Sequence, residues 1–157
     1  MRRKDREMGD LNEIVRIIDR CDVCHMGLSE DGRPYVVPLS FGYSVQGNKI
    51  AFCFHCASEG RKIEMIRKNP KVCLQFDCGH RLMTGDKACD CTTEYESVIA
   101  FGTAELVADR DEKIRALTQL MKHYEKGETF DFDSRMVDLV TVIQVKAEQI
   151  GGKRKKA

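Results

Sequence analysis

Residues 53–62 read Cys53-Phe-His-Cys-Ala-Ser-Glu-Gly-Arg-Lys62, and two chemistries compete for them. Cys53 and Cys56, with His55 between, look like half of a metal site. The same run also reads as a strand end entering a loop whose Ser58, Arg61 and Lys62 hold a phosphate. Strand geometry weighs against the metal: residues three apart on a strand point to opposite faces. No glycine lies within or just after the pair to turn the chain. Cys21-x-x-Cys24, at a helix-to-strand junction, is the better-shaped half of a four-cysteine zinc site, but the two pairs are unusually far apart for one. A thioredoxin-like use of either pair needs a βαβ context that is missing. No metal ligand is assigned.

The phosphate reading draws on the helix that should follow. A helix start offers unpaired N–H groups and the positive end of the dipole. Arg61 can grip a phosphate through two N–H groups, Lys62 adds a point charge, and Ser58 adds a hydroxyl. On spacing alone the simpler reading still leads: Ser58 caps the helix while Arg61 and Lys62 point to water.

The whole chain sets the frame for that choice. A length of 157 residues suits one domain with a real core and is short for two. Hydrophobic residues at 42% and charged residues at 32% describe a globular chain, and a net charge of +1 gives no global field to recruit nucleic acid or an anionic membrane. The basic runs near Arg2 and at Lys153-Arg-Lys-Lys156 read as solvated, flexible ends, 1–9 and 152–157. No apolar run is long enough to cross a bilayer and no signal-peptide core is present, so a cytoplasmic location is expected. Eight cysteines in a reducing compartment are then buried hydrophobes, ligands or redox thiols rather than disulfides.

Periodicity fills in the elements. Asp10 caps a helix over 11–19 whose Leu11, Ile14, Val15 and Ile18 share a face. Strands follow over 24–28 and 35–43 around an Asp31-Gly32 turn, and Pro38 marks an edge or a bulge. A strand over 49–55, a helix over 58–69 ended by Pro70, and a strand over 71–77 come next, with Cys73 reading as core. Residues 78–90 read as a loop, where Cys78, His80, Cys89 and Cys91 make a metal cluster conceivable, although scattered thiols are commoner. A long strand over 95–107 bends at Gly102. Asp109 caps a helix reaching Tyr124, 125–133 is a polar connection, and a β-branched strand starts at Val137 and ends near Gly151-Gly152. Hairpins dominate without βαβ alternation, which points to an antiparallel barrel with helices outside it. His25, His80 and His123 have no supporting constellation.

Five motifs then occur in one order: Arg3-Lys-Asp-Arg-Glu7, Pro34-Tyr-Val-Val-Pro-Leu-Ser-Phe-Gly-Tyr43, Phe54-His-x-Ala-x-Glu-Gly-Arg-Lys62 with Ile66-Arg-Lys-Asn-Pro70, Tyr95-Glu-Ser-Val-Ile-x-Phe-Gly-x-Ala104, and Gly152-Lys-Arg154. Through them the chain resembles the flavin-binding split-barrel proteins of the pyridoxamine-5′-phosphate-oxidase-like superfamily, and within it the Nim-type 5-nitroimidazole reductase group. The resemblance implies a mainly β, α+β fold: a six-stranded antiparallel split β-barrel with flanking helices. It implies a homodimer with FMN, less often FAD, at the subunit interface. Val36, Val37, Pro38, Leu39 and Ser40 would line the flavin ring, His55 would sit beside it as the one catalytic candidate, and Ser58, Arg61 and Lys62 would hold the phosphate. Ser97 would reach the site from the partner. Cys56 stands where the family often has Ser. The activity implied is reduction of a small electron acceptor, such as a nitroaromatic compound. The rivals are a flavin carrier or sensor without turnover, a zinc-stabilised module using both CxxC pairs, and a haem held by a histidine on a related barrel.

Overall fold

The computed structural model describes residues 4–156 apart from 126 and 128. Residues 1–3, 126, 128 and 157, parts of the expected basic ends and of the polar connection, lie outside the described residues. The elements run β1 (Glu7–Met8), α1 (Leu11–Ile18), β2 (Cys24–Glu30), β3 (Arg33–Leu39), β4 (Gly42–Gln46), β5 (Lys49–Ala57), α2 (Arg61–Lys68), β6 (Lys71–Met83), β7 (Thr92–Val107), α3 (Arg110–Tyr124), α4 (Ser134–Leu139) and β8 (Val140–Lys155). All strand pairs are antiparallel, in the order β3-β2-β6-β7-β8-β5-β4, with β1 added beside β8.

That order dictates the curvature. β3 and β4 occupy opposite edges of the path, yet only Ser40 and Phe41 separate them. A seven-strand path laid flat would be about 29 Å wide at ordinary strand spacing. The chain from Leu39 to Gly42 reaches at most about 11 Å. The sheet must therefore curl until its edges are neighbours without bonding to each other, which is a split barrel. Residues 35–43, expected as one strand, are broken at Ser40–Phe41 because the chain changes edge there; counted as one bent strand, they leave six long strands.

Local chemistry explains the elements that the sequence predicts. Asp10 accepts from Asn12 N–H at 2.7 Å and Glu13 N–H at 3.1 Å, and Asp109 accepts from Glu112 N–H at 2.9 Å. Asp31 (φ 49°) and Gly32 (φ 77°) both take positive φ between the paired residues Glu30 and Arg33, the two-residue turn that suits strand twist. Inside the barrel, Phe76 touches Phe41 and Phe52 at centroid distances of 4.9 Å each. Ile14, Ile17 and Ile18 of α1 are buried in the same core. On the other side α3 lies on β4 and β5 so closely that a Cβ on Gly42 would stand 2.4 Å from Leu120 N.

Four expectations need correction. β6 does not stop at residue 77 but continues to Met83, paired with β7 through a bulge between Cys78 and Arg81. Cys73 is not core: Val72, Leu74 and Phe76 face inward, so Cys73 faces out. The last strand begins at Val140, after α4, which Asp133 caps by accepting from Arg135 and Met136 N–H. At the ends, Glu7 and Met8 pair with Lys153 and Gly152, and Gly152–Lys155 belong to β8, so strand pairing holds residues expected to be flexible. Among the described residues no helix is long and apolar enough to cross a membrane.

Candidate functional site

The start of α2 is built from the loop that residues 53–62 enter. β5 ends at Ala57 and α2 starts at Arg61. The cap position is Gly60 (φ 128°, ψ 167°), a conformation open essentially to glycine alone, and no side chain caps the helix. Ser58, expected as the cap, makes no such bond and is exposed. A Cβ on Gly60 would meet nothing within 4 Å, so open space lies in front of the helix end. Arg61 and Lys62 are the first two helical residues, and none of the ion pairs among the described residues involves them. The Arg61 guanidinium lies 5.1 Å from the centre of the Tyr35 ring, which ties this corner to β3. Burial pushes the Cys56 thiol up, with the charge of Lys62 acting in the opposite direction. The helix start thus leaves N–H groups without a side-chain cap, with Arg61, Lys62 and Ser58 within three residues of Gly60, residue types that suit a phosphate.

β3 presents its residues alternately. Tyr35, Val37 and Leu39 pack on the core, whereas Val36, Pro38 and Ser40 face out. Of the five residues expected to line a ring, Val37 and Leu39 therefore offer only backbone to the outside. Two cross-strand rows extend that outer face: Val36–Gly27–Cys73–Phe101 and Pro38–His25–Gln75–Ile99. On this face lies an open cavity of about 340 Å³ lined by His25, Gly27, Val36, Cys73 and Gln75. His25 Nδ1 is buried and has no hydrogen-bond partner among the described residues. Gln75 donates to Asp77 Oδ1 at 2.6 Å. Val36, Phe101 and Ile99 are 61%, 51% and 45% exposed, a broad apolar face around that cavity.

His55 is exposed near the end of β5, paired with Val142 of β8. Ser97 is not brought to it. Val142 also pairs with Val107, and Ser97 lies ten residues back along β7, or roughly 33 Å at strand rise. Ser97 instead sits between Asp77 and Lys153. The two CxxC pairs are not brought together, although Cys21 and Cys78 meet at Ile17 O. Cys53 donates to Ala116 O under α3 at 3.1 Å, while Cys56 packs on the barrel core from the opposite face. Cys21 bonds Ile17 O, and Cys89 and Cys91 are exposed. Among the described residues no group of three or more His, Cys, Asp or Glu side chains is arranged to hold a metal ion. His123 bonds Cys21 O at 2.9 Å and lies 4.2 Å from the Phe41 ring, and His80 lies 3.1 Å from Asp77. Both have structural partners. Tyr35, His25 and Gln75 belong to this part of the molecule and were missed in the sequence; their signal is strand register.

The family model described as pyridoxamine 5′-phosphate oxidase matches residues 10–154. A candidate 5-nitroimidazole antibiotic resistance protein from Bacteroides thetaiotaomicron is 35% identical, with a TM-score of 0.82, over 94% of this chain and 86% of that one. A flavocytochrome from Azotobacter vinelandii superposes with a TM-score of 0.82 at 21% identity, over 100% of this chain and 72% of that one, and shows the shared fold. Among curated proteins, an uncharacterized protein of Rhizobium meliloti is 39% identical over 64 residues, which span 41% of this chain and 39% of that protein.

Proposed function

The chain belongs to the pyridoxamine 5′-phosphate oxidase family, and from that premise we propose that it is a flavin-dependent oxidoreductase, working as a cytoplasmic homodimer. The flavin is FMN, with FAD as the alternative, and the substrate is a small electron acceptor of the nitroaromatic, 5-nitroimidazole kind. The observation that carries this reading is the uncapped start of α2 at Gly60, with Arg61 and Lys62 as its first two residues and Ser58 just before it. The fold relative with 35% identity supports the acceptor class through its name.

In this reading Arg61 and Lys62 take the flavin phosphate, Ser58 adds a hydroxyl, and Val36, Pro38 and Ser40 border the ring together with the backbone of Val37 and Leu39. His55 is the side chain assigned to hold the acceptor or donate a proton to it. Ser97 serves the flavin of the other subunit, since within one chain it is remote from α2. The exposed Val36, Ile99 and Phe101 support a dimer because a second copy can cover them. Bound flavin supplies the electron transfer, drawing on a nicotinamide or other reductant, and the chain supplies binding and orientation. Eight unpaired cysteines suit a reducing compartment.

The test is the visible absorption spectrum of the purified protein through gel filtration, before and after added FMN. Flavin bands should co-elute with a dimer and disappear in Lys62→Ala while the far-ultraviolet spectrum stays the same. Full flavin retention by that variant would remove the phosphate assignment. A protein that takes neither FMN nor FAD would end the oxidoreductase reading. Steady-state reduction of a nitroimidazole then separates an enzyme from a flavin carrier.

A further inference from the structure

A basic cavity lies elsewhere, between the end of α1 and the paired ends of β7 and β8. It has a volume of about 400 Å³ and is lined by Arg16 and Arg20 and, from β7 and β8, by Tyr95, Glu96, Arg154 and Lys155. Lys156 adds a fifth cation, and Glu94 is the only other carboxylate on the wall among the described residues. Both acids are already engaged. Glu96, 7% exposed, accepts from Arg20 and from Arg154 Nε, and Glu94 accepts from Arg81 Nε at 2.6 Å. Arg16 and Lys156 enter no ion pair among the described residues. The chain as a whole carries only +1, so this concentration of charge is local.

The buried carboxylate does more than neutralise. A guanidinium has five N–H donors in a rigid fork. Arg20 spends Nε on Arg16 O and one terminal nitrogen on Glu96, and Arg154 spends Nε on Glu96 and one terminal nitrogen on Glu13 at 3.5 Å. Each fork is thereby fixed in direction with donors to spare. Gly79 (φ 66°) keeps the wall low beside this clamp: a Cβ there would stand 3.7 Å from Glu96 Oε2. At the rim, burial would raise the Tyr95 phenol, but hydrogen bonds and charge from Lys153 and Arg6 outweigh it and hold the phenol below its ordinary value. The potential there is positive.

We infer that this cavity is a binding site for a phosphorylated small molecule of the pyrophosphate or nucleoside-diphosphate class, distinct from the opening before α2. Fixed guanidiniums and unpaired cations suit two adjacent phosphates. The volume exceeds what a single phosphate fills, and the Tyr95 ring on the wall has Lys153 Nζ 6.0 Å from its centre. The inference stands whether or not the α2 corner holds a flavin.

Isothermal titration of the full chain at low salt with inorganic pyrophosphate and, separately, with ADP tests it, each run with and without added FMN. One ligand per chain is expected, weakening as salt rises. Arg16→Glu with Lys156→Glu, both at exposed positions, should weaken binding at least ten-fold while melting temperature and flavin content hold. Lys62→Ala should leave it intact. ADP binding without pyrophosphate binding would support the site and assign recognition to the nucleoside; equal binding would support it with phosphates alone. Absence of binding of both ligands at millimolar concentration, indifference to the charge reversals, or displacement by FMN would each overturn the inference.

Discussion

At the start of α2, Arg61 and Lys62 stand beside a helix end that no side chain caps, whereas at the far ends of β7 and β8 Arg20 and Arg154 close on the buried carboxylate of Glu96. Both regions are basic, but their cations have different duties. A cation locked to a buried acid is part of the fold, and removing either partner leaves the other desolvated. Lys62 enters no ion pair among the described residues, so it should contribute little to folding, whereas Arg61 already rests on the Tyr35 ring. If the proposed reading holds, substitutions on the two sides should fail in different ways.

The largest effect is expected at the locked end. Glu96→Ala should destabilise the protein by about 2–3 kcal/mol in denaturant unfolding, somewhat below the loss for a fully buried pair because half of the Arg20 side chain is exposed. Flavin binding per folded molecule should be unchanged. Next comes the open end. Lys62→Ala should change unfolding free energy by less than about 0.5 kcal/mol, yet weaken FMN on the order of ten- to a hundred-fold, the range of a charge-assisted hydrogen bond. Fluorescence titration reads this, since free FMN is the brighter species in a typical quenched complex. If Lys62→Ala destabilised the fold as much as Glu96→Ala, the distinction would collapse.

Much of the barrel was legible because its signals are local. Asp10 and Asp109 announce their helices, and Asp31-Gly32 announces its turn. What escaped depended on partners distant in sequence. Residues 78–83 form strand although Gly79, His80, Arg81 and Leu82 are exposed, so alternation against a core had nothing to show there; pairing with β7 decides it. Lys153, Arg154 and Lys155 looked like a solvated tail, yet Arg154 turns inward because Glu96 is its direct cross-strand partner. At α4 the β-branched run from Val137 masked the helix that Asp133 caps. For the candidate site, the Arg61-Lys62 pair was readable and the role of Gly60 was not, because a polar serine two residues earlier is the better cap by composition. His25 and Gln75 could be joined only through a register linking strands some fifty residues apart.

Gly60→Ala sharpens the comparison from the backbone side. Its φ of 128° and ψ of 167° cost a non-glycine residue about 1–3 kcal/mol, although the added methyl would meet no neighbour within 4 Å. The expected loss is strain alone, so a modest fall in melting temperature should accompany weaker flavin binding as the helix start shifts. Gly79→Ala, at φ 66°, should lose about 1 kcal/mol and leave flavin untouched. Equal flavin loss in both variants would mean that the two regions communicate.

The smallest effect separates the regions by pH. Burial would raise the Glu96 carboxyl, but hydrogen bonds from Arg20 and Arg154 outweigh it and hold the group below its usual range in the folded protein. A carboxyl with a depressed folded value stabilises the fold fully above its unfolded value, near about 4.3, and loses that contribution as pH falls through the folded value. Glu96→Gln removes the titration while keeping the shape. The stability gap between the natural chain and Glu96→Gln should therefore be flat from about pH 5 to 7 and narrow below about pH 4. Glu30, held low by its hydrogen bond from Lys68, and Glu148, held low by Thr103 and Lys71, titrate in both proteins and cancel in the difference. A Lys62→Ala pair measured the same way should show no such narrowing, because no folded-state carboxylate depends on that ammonium among the described ion pairs. A gap that narrowed for both variants would place Lys62 in the structural charge network and remove the reason for reading it as a ligand residue.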